Sequence, residues 1–576
     1  MVARSLRSER SGIPVYWRPL IRTRYFSRTL FFFSQFHTPS LQHTMATSIA
    51  NLEGDPRIVD KQEDGHDFLE PTHPHAKVTL EEYCAHADRQ RKFEMEGPST
   101  LSPSSSNIGE KNEKFPDISV EANLTEDEKE RINARRALRT ASWAAVFYLI
   151  TTDILGPFNA PFAISQVGYV PGVILYFFMG AIACYTGLLL WWLFLKLDSD
   201  IFPVKTYSDI AERIFGKAAK HICTILQTIQ LIINVGTICL SNGQSLSQMS
   251  KGRLCFAVCI VIWAIVGMLI GQIRTLKNFG WLANCAVWLN LLIIFTSMGF
   301  VAHSPPNYAA ALSSLGVPEG PIVHATFVSA PLYNKVNGIM QMVFAYGGAM
   351  IFPEMLAEMR RPWDFWKGMC CAQLLIFAAY LMYGVFVYAY QGQFTLPLAY
   401  QGVSKYSWQT LNNTFGLITG IIAAGLYGNI GIKVAYYNIV EGMLHGPQLM
   451  SRTGRFIWTG MVLLYWALAF IVGAAIPQVA TISALVAAVC IMQFTYSFPP
   501  ALICGFYFLK DARGETGRMW WYRGLFSGYW WFKWFNLILS LASFSMAGLG
   551  MYGSGLAIKA TFKLGAATSF GCTPPV

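Results

Sequence analysis

Charge is what this 576-residue chain has least of: 13% of its residues are Asp, Glu, Lys or Arg, against about 25% in an ordinary soluble domain. The shortage is uneven. Residues 1–140 hold 20 Lys/Arg and 21 Asp/Glu, whereas residues 141–576 hold only 24 and 12. A P-loop, a GxSxG elbow and an HExxH pair are all missing, which removes the commonest phosphate, acyl-transfer and metalloprotease readings. No pair of histidines lies within an apolar run to hold haem, so the expectation is no enzyme, no metal and no cofactor. The 12 cysteines contain no CxxC and no Cys/His ligand spacing. Most sit in apolar runs (Cys184, Cys239, Cys255, Cys259, Cys285, Cys370, Cys371 and Cys490), where they read as small packing residues rather than a disulfide framework. The net charge of +11 comes with no basic face or base-reading motif, so nucleic acid is not the expected partner.

What the chain has instead is long apolar runs. A helix needs about 20 mostly apolar residues to cross a bilayer. Eleven such runs lie at 141–165, 169–195, 218–242, 254–272, 279–302, 336–358, 369–390, 411–441, 456–476, 479–508 and 531–556. Their length and lack of alternation exclude a β-barrel. With the N-terminus in the cytosol, inner loops carry 17 Lys/Arg and the outer loops and tail six, namely Lys251, Arg253, Lys335, Lys405, Lys559 and Lys563. That bias orients the chain N-terminus in, C-terminus out. The expected organisation is an Arg-rich extension at 1–44, a largely disordered cytosolic region at 45–140, a transmembrane domain at 141–556 and a short extracytosolic tail at 557–576. The extension reads as a presequence-like segment or a gene-model artefact, since Met45 opens a second plausible start. Thr125 and Glu128 form a capping-box pattern for a short helix at Thr125–Arg139. The outer loop 303–335, rich in Pro and small residues, is placed to cover a cavity mouth.

Two runs are interrupted. The first contains Leu155-Gly156-Pro157-Phe158-Asn159-Ala160-Pro161, and the sixth contains Phe344-Ala345-Tyr346-Gly347-Gly348-Ala349-Met350-Ile351-Phe352-Pro353-Glu354. Proline deletes a backbone donor and clashes with the preceding turn. Lipid cannot satisfy the groups such a break frees, so a break must face protein or a wet cavity. Broken helices five apart fit a five-plus-five inverted repeat with an eleventh helix added, and mark a transporter binding site. Half-helix N-termini there offer N–H groups to a substrate carboxylate. The expected substrate contacts are Gly156, Pro157, Phe158, Asn159 and Ala160 from the first break, and Ala345, Tyr346, Gly347 and Gly348 from the sixth. Asn234 and Asn429 are added as residues that either touch substrate or join helices by hydrogen bonds. The Gly347-Gly348 pair leaves room for a bulky side chain.

At these residues the chain resembles the amino acid/auxin permease family of the amino acid–polyamine–organocation superfamily, and most closely the fungal neutral and aromatic amino acid permeases of the methyltryptophan-resistance type. The likeness runs over about 140–556. It is carried by the first break continuing into Pro161-Phe162-Ala163-Ile164-Ser165-Gln166-Val167-Gly168-Tyr169, by Thr206-Tyr207-Ser208-Asp209-Ile210-Ala211-Glu212-Arg213-Ile214-Phe215-Gly216-Lys217, and by Phe352-Pro353-Glu354-Met355-Leu356-Ala357-Glu358-Met359-Arg360-Arg361-Pro362. Many relatives have Gly-Thr-Gly at the first break; here only Gly156 of it survives, after Asp153-Ile154-Leu155. The resemblance implies an all-α, LeuT-like fold and secondary active, mainly proton-driven transport of amino acids.

A charge at mid-bilayer costs at least about 2.5–3.5 kcal/mol, so Asp153, Glu354 and Lys433 each need a reason. In the implied fold the first and eighth spans meet at a cation site, where the Lys433 ammonium would replace a metal ion. The plainer reading of Lys433 is snorkelling, or pairing with Glu441 or Asp153. Asp153 and Glu354 are the rival proton carriers. The expectation is therefore symport of neutral, aliphatic and aromatic, amino acids with protons, or with sodium, at the plasma membrane. The alternatives are a vacuolar exporter and an amino acid sensor that does not transport.

Overall fold

The computed structural model describes residues 78–96, 139, 141–154, 157–274, 277–444, 446–447, 449, 451–476, 478–513, 518–563 and 570–573. The segment 1–77, and the helix expected at Thr125–Arg139 apart from Arg139, lie outside these residues. The chain divides into two units, Met1–Lys77 and Val78–Val576, and every described residue belongs to the second.

That unit is helical throughout its described length. Helix α1, Leu80–Glu96, is followed by the first apolar run as α2, Trp143–Ile154, a single tight turn at Pro157–Asn159, and α3, Ala160–Val167. Then come α4 (Tyr169–Leu197), α5 (Tyr207–Phe215), α6 (Lys217–Met249), α7 (Phe256–Ile270), α8 (Lys277–Ala302) and α9 (Tyr308–Leu315). The sixth run is α10 (Leu332–Ala345) and α11 (Phe352–Glu358) around a turn at Ala349–Ile351. The remainder is α12 (Phe365–Gln391), α13 (Tyr406–Ala435), α14 (Arg452–Ala475), α15 (Val479–Val486), α16 (Phe498–Asp511), α17 (Arg518–Phe526) and α18 (Trp530–Lys563), with π-type turns continuing α13 to Met443 and joining α15 to α16.

Among the described residues nine helical stretches are long and apolar enough to cross a membrane, and Phe256–Ile270 is a shorter apolar helix. The first run, divided at its break, supplies neither half at full length. In the stretches Leu332–Glu358 and Val479–Asp511, 83% and 89% of the most apolar window is buried in protein, against 28% for Trp530–Lys563. The broken sixth span and the α15–α16 span are therefore central, and α18 is peripheral. The outward faces of the peripheral helices carry Phe177, Ile265, Leu374, Leu464 and Ile538, which suits contact with lipid.

Local chemistry sets several boundaries. Thr206 and Asp209 form a reciprocal capping box at the start of α5. Gly168 separates α3 from α4 at φ 103°, where a Cβ would sit 2.6 Å from the Thr326 carbonyl oxygen. Only glycine fits both the backbone and that approach. The loop it admits is strapped down: Tyr169 and Val170 N–H donate to the Ala325 and Thr326 carbonyls at 3.2 Å, and Val328 N–H to Val167 at 3.2 Å. Gly236 of α6 and Gly473 of α14 face each other so closely that a Cβ on Gly473 would meet the Gly236 carbonyl oxygen at 2.6 Å. Close helix approach through small residues is the usual device inside membranes.

The described part of the region 45–140 includes a helix, α1. Thr79 and Glu82 cap its start, with Thr79 N–H donating to Glu82 Oε2 at 2.7 Å. Arg91 and Arg139 both reach the buried Asp198 carboxylate at 2.9 Å, and Lys196 pairs with Asp88 at 2.8 Å. A polar helix is ordered here because its charges find fixed partners on the membrane domain. One sequence expectation is revised: Cys255 is not a packing residue. It forms a disulfide with Cys572, 317 residues away, and Phe256 N–H donates to the Cys572 carbonyl at 3.1 Å. The bond ties the C-terminal tail to the start of α7, a pairing that spacing alone does not reveal.

Digestion without reductant followed by mass spectrometry is expected to recover one cross-linked peptide pair containing Cys255 and Cys572. Maleimide labelling of either residue in unreduced protein would contradict the pairing.

Candidate functional site

The two breaks free backbone groups in a place without bulk water, and the structure shows where some of these groups go. At the second break the helix ends at Ala345, whose carbonyl accepts from the Tyr380 hydroxyl of α12 at 2.8 Å. Gly347 and Gly348 N–H turn back to Phe344 and Tyr346 at 3.2 and 3.1 Å. The Met350 carbonyl accepts from Gln227 Nε2 of α6 at 3.0 Å. Tyr346 anchors the bend outward, its hydroxyl donating to the Tyr176 carbonyl of α4 at 3.1 Å. Gly347 is needed for packing: a Cβ there would lie 2.7 Å from Ile491. The space the glycine leaves is therefore already filled by the Ile491 side chain. Gly348 begins the tight turn, accepting from Ile351 N–H at 3.3 Å.

At the first break Leu155 and Gly156 lie outside the described residues. Asn159 precedes α3 and is buried, and its Nδ2 donates to Gln341 Oε1 of α10 at 3.1 Å. Gln341 in turn donates to the Ala480 carbonyl at 2.7 Å and accepts from Ser483 at 3.0 Å. One side-chain chain thus joins the first break, the α10 half of the sixth span and the start of α15. Asn159 Oδ1 is buried without a protein partner. Phe158 sits edge-on to Tyr400 and Tyr383, with ring centroids 4.9 and 6.5 Å apart. Ala160 is buried beneath α12, where a Cβ on Gly384 would come within 3.4 Å of it. Pro157 opens the tight turn. The expected contacts Phe158, Asn159 and Ala160 therefore belong to one packed region, linked to the sixth span through Gln341.

The charged candidates separate. Glu354 is buried at the start of α11, where Oε1 accepts from Gln227 Nε2 at 2.7 Å and from Tyr207 N–H at 3.4 Å. Its Oε2 has no protein partner. Lys433 pairs with neither Glu441 nor any residue of the first span that is described. Its Nζ donates to Glu358 Oε1 at 3.2 Å, which joins α13 to the C-terminal end of the sixth span. Glu441 instead accepts from Leu449 N–H at 3.2 Å. Asp153 lies in the last turn of α2, with its side chain outside the described residues. Asn429 donates to the Ile273 carbonyl at 2.5 Å, the helix-joining role. Asn234 is buried on α6 with Oδ1 unpartnered.

Sequence reasoning missed Gln227, Gln341 and Tyr380, the side chains that tie the breaks to their surroundings. A signal existed for the glutamines, since each is a polar residue inside a long apolar run. Nothing in the sequence says which carbonyl each one meets.

Known proteins are similar to this chain to differing degrees. A family model described as transmembrane amino acid transporter protein matches residues 139–548. A transmembrane transporter of Gibberella moniliformis is 25% identical over 443 residues, 75% of this chain and 88% of that protein. The N amino acid transport system protein of Neurospora crassa is 22% identical over 420 residues, 71% of this chain and 82% of its own. Among solved structures, Mhp1, a nucleobase-cation-symport-1 family transporter in a closed conformation with bromovinylhydantoin bound, aligns over 74% of this chain and 93% of its own at TM-score 0.39 and 12% identity.

Removing the Tyr380 hydroxyl by Tyr380→Phe leaves the Ala345 carbonyl unpaired, at a cost of about 1–3 kcal/mol. Gln227→Leu strips a donor from both Met350 and Glu354 and is expected to cost more. Thermal unfolding in detergent should show a lower midpoint for both, with Gln227→Leu the lower; unchanged midpoints would mean that water replaces these donors.

Proposed function

We propose a cargo and a driving ion for this chain, which belongs to the transmembrane amino acid transporter family: it carries neutral amino acids, aliphatic and aromatic, into the cell together with protons, by alternating access at the plasma membrane. The observation that carries this reading is the pair of broken helices joined through Asn159 and Gln341. Irregular backbone at membrane depth is tolerated where it lines a binding cavity. Neutral cargo is favoured because the described side chains around the breaks are mostly amides, aromatics and small residues, and the carboxylate at the second break, Glu354, already accepts from Gln227 and Tyr207.

Alternating access needs a closure on each side of the site. On one side lies the strap of Ala325–Val328 over the α3–α4 turn, reinforced by the Tyr388 hydroxyl accepting from Ala325 N–H at 3.1 Å. On the other, the root of the first span pairs with the end of the sixth. Ala141 N–H donates to Glu358 at 3.0 Å, and Arg360 N–H returns to Ala141 at 2.9 Å. Lys433 holds the same corner through the Glu358 carboxylate. We assign this second closure to the cytosolic face, on the strength of the Lys/Arg bias. The Cys255–Cys572 disulfide supports that orientation, since such bonds persist on the oxidising side of a membrane.

A lysine whose carboxylate partner sits on the closing helix is a route from proton binding to gating, with Glu354 and Asp153 as the other carriers. In this reading Lys433 works through Glu358 rather than through the first span.

The direct test is uptake of an amino acid panel against pH and sodium in a transport-deficient host. Accumulation of neutral amino acids that rises as external pH falls is expected, without a sodium requirement; a sodium requirement would overturn the proton assignment. In proteoliposomes, Lys433→Ala is expected to keep counterflow of labelled substrate and to lose at least tenfold of proton-driven accumulation. Normal accumulation by that variant would transfer the role to the carboxylates.

A further inference from the structure

Helix α1 belongs to no span, yet it docks on the membrane domain beside the root of the first span. Its docked face is short. Leu80, Tyr83 and Cys84 pack against the core, and Ala87 is fully buried. Arg91, one turn further on, continues that stripe of three- and four-residue steps. The Tyr83 and His86 rings meet Phe202 edge-on, with centroids 5.1 and 5.4 Å apart, and the Arg213 guanidinium of α5 lies 4.5 Å above the Tyr83 ring.

Beyond this stripe the contact is a chain of alternating charge. Glu94 accepts from Arg91 Nη1 at 2.7 Å, and Arg91 Nη2 reaches Asp198 Oδ2 at 2.9 Å. Arg139 Nη2 reaches the same oxygen at 2.9 Å, and Arg139 Nη1 lies 3.9 Å from Asp200. The other Asp198 oxygen accepts from Val204 N–H at 3.0 Å. The Asp198 side chain is 0% exposed and that of Arg91 4%. Both aspartates lie in the loop that follows α4, while Arg139 stands two residues before Ala141. One buried carboxylate therefore holds α1 and the root of the first span together.

That sharing lets docking act on the first span. With α1 in place Asp198 is shielded from water, and its attraction for Arg139 is stronger than at a wet surface. With α1 away, the pair weakens towards the small value of an exposed ion pair. Ala141 is joined to Glu358 and Arg360 by hydrogen bonds of 3.0 and 2.9 Å, so one short segment carries both the ion pair and the closure. The dock is also built to release. Arg91 Nε is buried without a protein partner, which disfavours the docked state. The pairs of Asp88 with Lys196 and of Glu81 with Arg513 lie at the exposed edge of the contact, where such pairs contribute little. Residues 97–138 connect α1 covalently to Arg139, so docking again after release is intramolecular.

We propose that α1 is an autoinhibitory clamp: docked over Asp198, it holds the root of the first span against the sixth and keeps that closure shut, and its release lets the closure open. The inference rests on the alternating-access reading and adds a regulator to it. A helix that only supports the fold predicts the reverse, since its release would slow transport.

The test uses the full chain. Glu81→Lys with Asp88→Lys turns both edge pairs into repulsions, and adding Lys196→Glu and Arg513→Glu restores them with the signs exchanged. Opening is read in detergent as maleimide modification at Met359→Cys, a position that is fully buried at the closure, by mass spectrometry of its peptide. The released form is expected to label at least fivefold faster and, in proteoliposomes, to exchange labelled leucine at least threefold faster. The restored form should return within twofold of the parent in both. Conversely, joining Asp88→Cys to Lys196→Cys with a reducible bifunctional thiol reagent should cut exchange at least tenfold until reductant is added, with each single variant treated alike as control. Unchanged or slower labelling on release would overturn the clamp, as would full exchange by the cross-linked form. Failure of the parent to move any amino acid would instead overturn the transport reading, and the labelling comparison would still decide whether α1 holds the closure.

Discussion

A backbone hydrogen bond lost inside a bilayer has no water to replace it, and the organisation of this protein depends on that constraint. Two helices are broken at mid-membrane, and each freed carbonyl must find a donor. At the second break those donors are Tyr380 for Ala345 and Gln227 for Met350, contributed by α12 and α6. The break can exist only because these two helices stand beside it. The α15–α16 span is buried to nearly the same degree as the sixth. It completes the surround by filling the space over Gly347 with Ile491. The central helices are thus arranged around an irregular backbone, and the apolar periphery is arranged around them.

The same residues that satisfy the breaks also connect them to the rest of the molecule. Gln227 Nε2 contacts a break carbonyl and the Glu354 carboxylate together. Asn159 and Gln341 connect the first break to the sixth span. The corner where Ala141, Glu358 and Lys433 meet ties the root of the first span to the end of the sixth and to α13. Through these contacts a change of hydrogen bonding at one break has a short physical path to the groups that meet at that corner.

Much of this was legible beforehand because lipid imposes strong rules. Long apolar runs read as spanning helices, and Gly and Pro clustered together inside them as breaks; α2–α3 and α10–α11 were located on that basis. The polar residues Gln227, Gln230, Asn234 and Thr237 of α6 were also readable in principle, since a 3-4 spacing of polar residues is a pattern of sequence alone. Less legible was α1, because a charged helix outside the membrane carries no apolar signal. Its order comes from Asp198, where Arg91 and Arg139 converge from positions 48 residues apart in the chain.

By itself the amino-acid order determined that the chain lives in a membrane and where its helices are interrupted, because hydropathy and backbone chemistry are local properties. It also supplied the candidates Asp153, Glu354 and Lys433, since a charge in an apolar run is visible without a fold. Only the tertiary structure decided the pairings. Lys433 meets Glu358 rather than Glu441, Asn159 meets Gln341 across 182 residues, and Cys255 meets Cys572 across 317. Such contacts depend on how helices distant in sequence pack side by side, and no spacing within one helix encodes which neighbour will stand opposite.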